Sequence, residues 1–203
     1  MFKSILVLES PWKDTSVKST SVWPFVSEFA KEMDLRAFHQ VFSDKTSFCH
    51  WIKIFNKEKS ASPKLLYVAA HGTDGRIASL KKGINGTSIV TALKKAKNIK
   101  YVHFGSCLYG SERNLASLLG TAKHIRWTAG YEKQVDWLDS TLFDVMLWGR
   151  IAPRDPKTTK GQKSHMLAKK FMNEIPGLVQ NLGFRFQYRY GKNVKSLVSN
   201  GAV

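Results

Sequence analysis

Apolar runs and amphipathic stretches alternate along most of this chain. Short runs rich in branched and aromatic residues, bounded by turn residues, occur at Phe2–Leu8 (FKSILVL), Leu35–Phe42 (LRAFHQVF), Leu65–Ala70 (LLYVAA), Ile99–Phe104 (IKYVHF) and Ile125–Gly130 (IRWTAG). Such runs predict strands, and those with little polar alternation predict strands buried on both faces. Between them, at Pro24–Met33, Thr46–Asn56, Ser88–Lys97 and Glu112–Leu119, apolar residues recur with the helical period, as a helix laying one stripe on a core requires. Strand and helix in alternation predict an α/β domain, a mostly parallel central sheet with helices on both faces. Further helices are expected at Trp137–Trp148 and, past the loop RIAPRDPKTTKG, at Gln162–Glu174. The last segment, Gly183–Tyr190 (GFRFQYRY), alternates apolar and basic residues, which predicts an edge strand with one wet face.

Length adds a bound to this pattern. A chain of 203 residues with 43% apolar content supports one substantial core, so residues 1–203 are read as a single domain whose basic carboxyl-terminal part, 151–203, is helical and ends in the edge strand. The amino terminus lacks the apolar length and cleavage site of a leader, and no stretch approaches the roughly 20 apolar residues of a membrane-spanning helix. A soluble, cytoplasmic protein is expected. Cys49 and Cys107 are the only thiols, too few for a disulfide framework or a four-cysteine zinc site, so no metal is expected.

Charge changes the picture more. The formal charge is +17, which attracts nucleic acid, anionic membrane or acidic protein over long range. Residues 151–203 carry ten Lys/Arg against two Asp/Glu, a net of +8, while residues 1–150 carry 22 against 13, a net of +9. A lysine-rich solvated surface explains this excess too. Binding of nucleic acid has no motif behind it: helix-turn-helix, zinc-finger and RNA-binding aromatic signatures are absent, as are Walker and Rossmann phosphate loops.

The chemistry is concentrated at two strand ends. The run LLYVAAHGTDG stops at His71-Gly72, and IKYVHFGSC ends at Gly105-Ser106-Cys107. The interval is long enough for a loop, a helix and a return strand, so right-handed crossover puts imidazole and thiol at one rim of the sheet. There the imidazole can take the thiol proton, and a thiolate is a competent nucleophile toward a carbonyl. Two loops at this rim invite a functional role: Glu9–Val22, which is long for a strand-to-helix turn, and the glycine-rich stretch after His71, whose irregularity would turn backbone N–H groups toward a ligand.

An apolar strand followed by His-Gly, and a later one followed by a small residue and Cys, resembles the caspase-like cysteine peptidases: caspases, metacaspases, separase, gingipain and bacterial CHAT domains. The segment IRWTAGYEKQVDWLDSTLFDVMLW is similar to the strand, loop and helix after the cysteine helix of CHAT domains, and the resemblance covers roughly residues 1–150. It implies a caspase-like three-layer sandwich and a Cys-His dyad without a third member or a cofactor. Cys107 would be the nucleophile and His71 the general acid/base, and the backbone N–H groups of Gly72 and Cys107 would bind the oxyanion. Two positions depart from the pattern. Metacaspases hold a basic substrate residue with an aspartate two residues before the cysteine, where this chain has Gly105; caspases place a basic residue after the first strand, where this chain has Glu9. Glu9, helped by Asp136 or Asp139, would form an acidic wall favouring cleavage after Lys or Arg. Protein substrates follow, with bacterial defence or regulated proteolysis as the setting and an activating partner or a homodimer as the trigger. The alternative is an inactive caspase-like scaffold, or a basic binding module engaging nucleic acid or an acidic protein, in which Cys107 is a structural thiol.

Overall fold

The structure, a computed structural model, describes residues 1–11, 21–58, 63–152 and 162–197. Much of the loop between Glu9 and Val22, and most of RIAPRDPKTTKG, lie outside the described residues. In chain order the elements are β1 (Ser4–Glu9), α1 (Trp23–Glu32), β2 (Arg36–Val41), α2 (Lys45–Lys57), β3 (Lys64–Ala69), the short β4 (Gly72–Thr73), β5 (Arg76–Ile77) and β6 (Ile84–Asn85), α3 (Gly86–Lys95), β7 (Ile99–Phe104), α4 (Glu112–Thr121), β8 (Trp127–Tyr131), α5 (Trp137–Ile151), α6 (Ser164–Glu174), α7 (Pro176–Leu182), β9 (Phe184–Tyr190) and β10 (Asn193–Leu197).

Seven strands form one sheet in the order β10-β9-β8-β7-β3-β1-β2. The pairings among β2, β1, β3, β7 and β8 are parallel, and those of β9 with β8 and β10 are antiparallel. Period-two geometry divides the core. Ile5, Val7, Leu65, Tyr67 and Ala69 face one layer, with Val26 of α1, Phe143 and Leu147 of α5, and Phe171 of α6. Leu6, Leu8, Leu66, Val68 and Ala70 face the other, with Phe48 and Ile52 of α2, Ile89 of α3 and Leu115 of α4. Helices cover both faces, so β1 and β3 are apolar at every position between their ends and show no alternation. This is the three-layer α/β arrangement expected from the sequence.

Three expectations are corrected. Gly183–Tyr190 is not an edge strand, because β9 is paired on both sides and β10 takes the outer place. Gly183 itself belongs to the preceding turn: at φ 59° it is the left-handed cap of α7, a conformation glycine adopts without steric cost. The glycine-rich stretch after His71 is not irregular throughout, since β4, β5 and β6 form a small antiparallel sheet and residues 78–83 lie outside regular structure. Among the described residues no helix is long and apolar enough to cross a membrane.

One titration follows from the packing. His124, in the turn before β8, has its pKa lowered to about 4, by burial first and then by Lys97 and Lys100. A group of depressed folded pKa leaves the unfolded chain binding more protons between about pH 6.5 and 4, so stability falls as pH drops through that window. Urea midpoints measured across it are expected to decline less steeply in His124→Gln than in wild type; parallel declines would refute the assignment.

Candidate active site

Parallel pairing of β3 with β7 sends the segments after both strands out at one rim, and the backbone brings them into contact. Gly72, next to His71, packs so tightly on the other segment that a Cβ there would collide with the carbonyl oxygen of Cys107 and sit 3.1 Å from Ser106 Cβ. The His71 carbonyl accepts from the Ala78 N–H at 2.7 Å, which ties the residue to the small sheet. Its side chain is exposed. On this geometry Gly72→Ala is expected to push the two segments apart. Since misplacement of about 1 Å can cost on the order of 10²-fold in rate, a loss of that size in peptide turnover, with the fold retained by circular dichroism, is the expected outcome.

The turn that carries Cys107 is held from three directions. Behind it, the Gly105 N–H and the Ser106 hydroxyl donate to the Val68 carbonyl, at 2.9 Å and 3.4 Å. Ahead of it, the Leu108 N–H donates to Lys133 O at 3.2 Å and the Gly110 N–H to Tyr131 O at 2.9 Å. Leu108 adopts φ 61°, a left-handed conformation that costs a branched side chain roughly 1–3 kcal/mol and that the surrounding bonds enforce. The sulfur lies beside the third support, Val135, at 3.5 Å from its N and 3.7 Å from its O. The thiol is free and half-buried, fixed by backbone groups without being sealed from solvent.

Asp136 and Asp139 follow Val135 directly and are exposed at the start of α5. Asp136 caps that helix, its Oδ1 accepting from the N–H groups of Leu138 at 2.8 Å and Asp139 at 3.1 Å. The structure therefore brings these two acids to the rim of Cys107. Glu9 is placed differently. It ends β1 with only 4% exposure. Its carboxylate accepts from the Ser21 hydroxyl at 2.7 Å and the Val22 N–H at 2.9 Å, and lies 2.9 Å from His39 Nε2. The His39 ring stacks on Trp23, the first residue of α1. Glu9 thus joins β1, β2 and the start of α1, and a substrate cation would have to displace these partners. Cys49 packs partly against the core, as a structural thiol would, and burial pushes its pKa up.

A buried polar cluster beneath the cysteine turn escaped the sequence reading. Asp144 of α5 is fully buried and accepts from Tyr67 at 2.7 Å and Tyr131 at 2.5 Å. Burial first, and then the Asp144 charge, hold both phenols well above their ordinary pKa, so they stay protonated as donors. His103 completes the group. The indole N–H of Trp148 donates to its Nδ1 at 3.0 Å, so that nitrogen is the acceptor and the proton of the neutral ring lies on Nε2, 2.9 Å from Asp144 Oδ1. That approach is close but poorly aligned for a hydrogen bond. Tyr67 also occupies the space beside Gly105: a Cβ there would overlap its ring and hydroxyl. The position two before the cysteine therefore has no room for a side chain. Among the described residues, no group of three His, Cys, Asp or Glu side chains could hold a metal ion.

An α/β protein of caspase-like fold, with His-Gly and Ser-Cys meeting at the carboxyl rim of its sheet, is what these observations define. Among solved structures, the secreted C11 cysteine protease from Bacteroides thetaiotaomicron, in complex with an irreversible peptide inhibitor, shares this fold at TM-score 0.52 and 9% identity. The match covers 93% of this chain and 66% of that one. At that identity the likeness is one of fold, and it carries nothing about closeness to CHAT domains. No protein-family model and no curated protein matches the chain.

Proposed function

We propose that this protein is a cysteine endopeptidase with Cys107 as nucleophile and His71 as general acid/base. The observation that carries the reading is the packing of Gly72 against the Cys107 backbone, which sets an exposed imidazole-bearing loop beside a free, backbone-held thiol. In this mechanism His71 takes the thiol proton and the sulfur attacks the scissile carbonyl. The N–H groups of Gly72 and Cys107 receive the developing oxyanion, a role in which one donor is worth on the order of 10² to 10³ in rate. His71 then protonates the leaving amine, and water releases the acyl group from sulfur.

Substrate preference follows from the charges at the rim. With Gly105 lacking a side chain and Glu9 engaged by Ser21, Val22 and His39, the acids offered to a substrate are Asp136 and Asp139, exposed at the start of α5 just after Val135. They favour a Lys or Arg before the scissile bond. A peptide library digested by wild type and Cys107→Ala tests both levels. The expected result is cleavage after basic residues in wild type only. Equal cleavage by Cys107→Ala would end the peptidase reading, whereas Cys107-dependent cleavage after acidic or small residues would overturn the pocket assignment alone.

A further inference from the structure

At the end of the sheet opposite Cys107 lies a cavity of about 740 Å³. It opens between the starts of β7 and β8, the end of β9 and the first residues of α6, and is bordered by Tyr101, Arg126, Trp127 and the segment Tyr188–Gly191. Trp127 begins β8 and Tyr131, bonded to the Cys107 turn, ends it, roughly 13 Å further along the strand. The cavity is therefore separate from the proposed catalytic rim. Its size is that of a small-molecule site.

Two properties define what would fit. Arg126 and Lys163 line it, and none of its described lining residues is acidic, so the ligand is an anion. The Arg189 guanidinium is turned to the other face of the sheet, where it donates to the Leu119 carbonyl at the end of α4. Trp127, only 2% exposed, forms part of the wall, so its indole resonance reports on occupancy. Finally, the wall is aromatic. His165 stacks on Tyr188 at 4.1 Å and 7°, and Tyr190 is 52% exposed with Lys163 and Lys195 near its ring at 5.6 Å and 4.9 Å.

We infer that this cavity binds a nucleotide, with the phosphate on Arg126 and Lys163 and the base against the exposed ring of Tyr190. An inorganic polyanion would use only the cations, and an uncharged aromatic only the rings. The same chemistry comes from two sources, a free nucleotide or one unit of a single strand, for which stacking rings beside phosphate-binding cations are the usual means of recognition. The inference stands whether or not Cys107 cleaves peptides.

The test is calorimetric titration of the full chain at about 0.15 M salt with ATP, a single-stranded RNA pentamer and inorganic tripolyphosphate, while the Trp127 indole N–H resonance, assigned through Trp127→Phe, is followed by NMR. ATP or the pentamer should bind and shift that resonance. Tyr190→Ala should weaken the base-bearing ligands about tenfold and leave tripolyphosphate unchanged, and Arg126→Gln should weaken all three. Lys81→Gln with Lys82→Gln, on the exposed loop between β5 and β6, should alter none of them. A pentamer bound far more tightly than ATP identifies the strand as the source; equal affinities identify the free nucleotide. Absence of binding, an unmoved Trp127 resonance, or equal losses from the Lys81/Lys82 and Arg126 substitutions would reduce the effect to general electrostatics and overturn the inference.

Discussion

Alanine at His71, at Cys107 or at both positions is expected to leave the same residual peptide turnover, about 10³-fold or more below wild type. The reason is mechanistic unity. If the imidazole serves only to move the thiol proton and then the proton of the leaving amine, it has nothing to do once the sulfur is gone. A double variant as slow as the product of the two single losses would show that the residues act on separate steps. Cys107→Ser is a useful companion, because it keeps the shape of the turn and replaces a good nucleophile by a poor one. All the variants should fold: the supports of the turn are main-chain groups of Val68, Tyr131, Lys133 and Val135, and Cys107 is half-buried.

The second large effect is on stability. Asp144→Ala removes the acceptor shared by Tyr67 and Tyr131 and the carboxylate beside His103 Nε2; Tyr131 keeps the Ser140 carbonyl at 3.1 Å, while the donors of Tyr67 and His103 lose Asp144 at roughly 1–3 kcal/mol each. A total loss of about 3–5 kcal/mol in urea unfolding is expected. Tyr131→Phe deletes one donor together with its need for an acceptor, so it should cost only about 1–2 kcal/mol. Because Tyr67 fills the space beside Gly105, loss of the cluster should also loosen the strand end that carries Cys107. Peptide turnover should then fall in Asp144→Ala even at temperatures where the protein is still folded. A stability change below about 1 kcal/mol would mean that the cluster does not hold the sheet to α5.

The frame of this fold is legible locally. β1, β3, β7 and β8 are short apolar runs because a parallel strand under helices on both faces has no solvent side, and burial of that kind is visible in six consecutive residues. Helices α2 and α3 are announced by Asp44 and Asn85, whose side chains accept from Ser47 and Ser88, and by the helical period that follows. Adjacency of the strands carrying His71 and Cys107 follows from the handedness of the crossover between parallel strands. What lay outside local reach is the outcome of pairing and facing. β10 (NVKSL) has too few apolar residues to announce itself, so β9 reads as an edge until its second partner is seen. The two-residue strands β4, β5 and β6 are too short to show any period. Helix α5 inverts its own pattern: Leu138, Leu142 and Met146 are exposed while Asp144 is buried. A single sequence shows which residues share a helical stripe but not which donors of β3, β7 and β8 wait opposite it. For Glu9 the sequence placed the acid at the end of the first strand, but only the approach of Ser21, Val22 and His39 decided that it faces inward. Residue types and strand ends are carried by neighbours along the chain; which polar groups are satisfied, and therefore what each charge is for, depends on atoms brought together by chain closure across tens of residues.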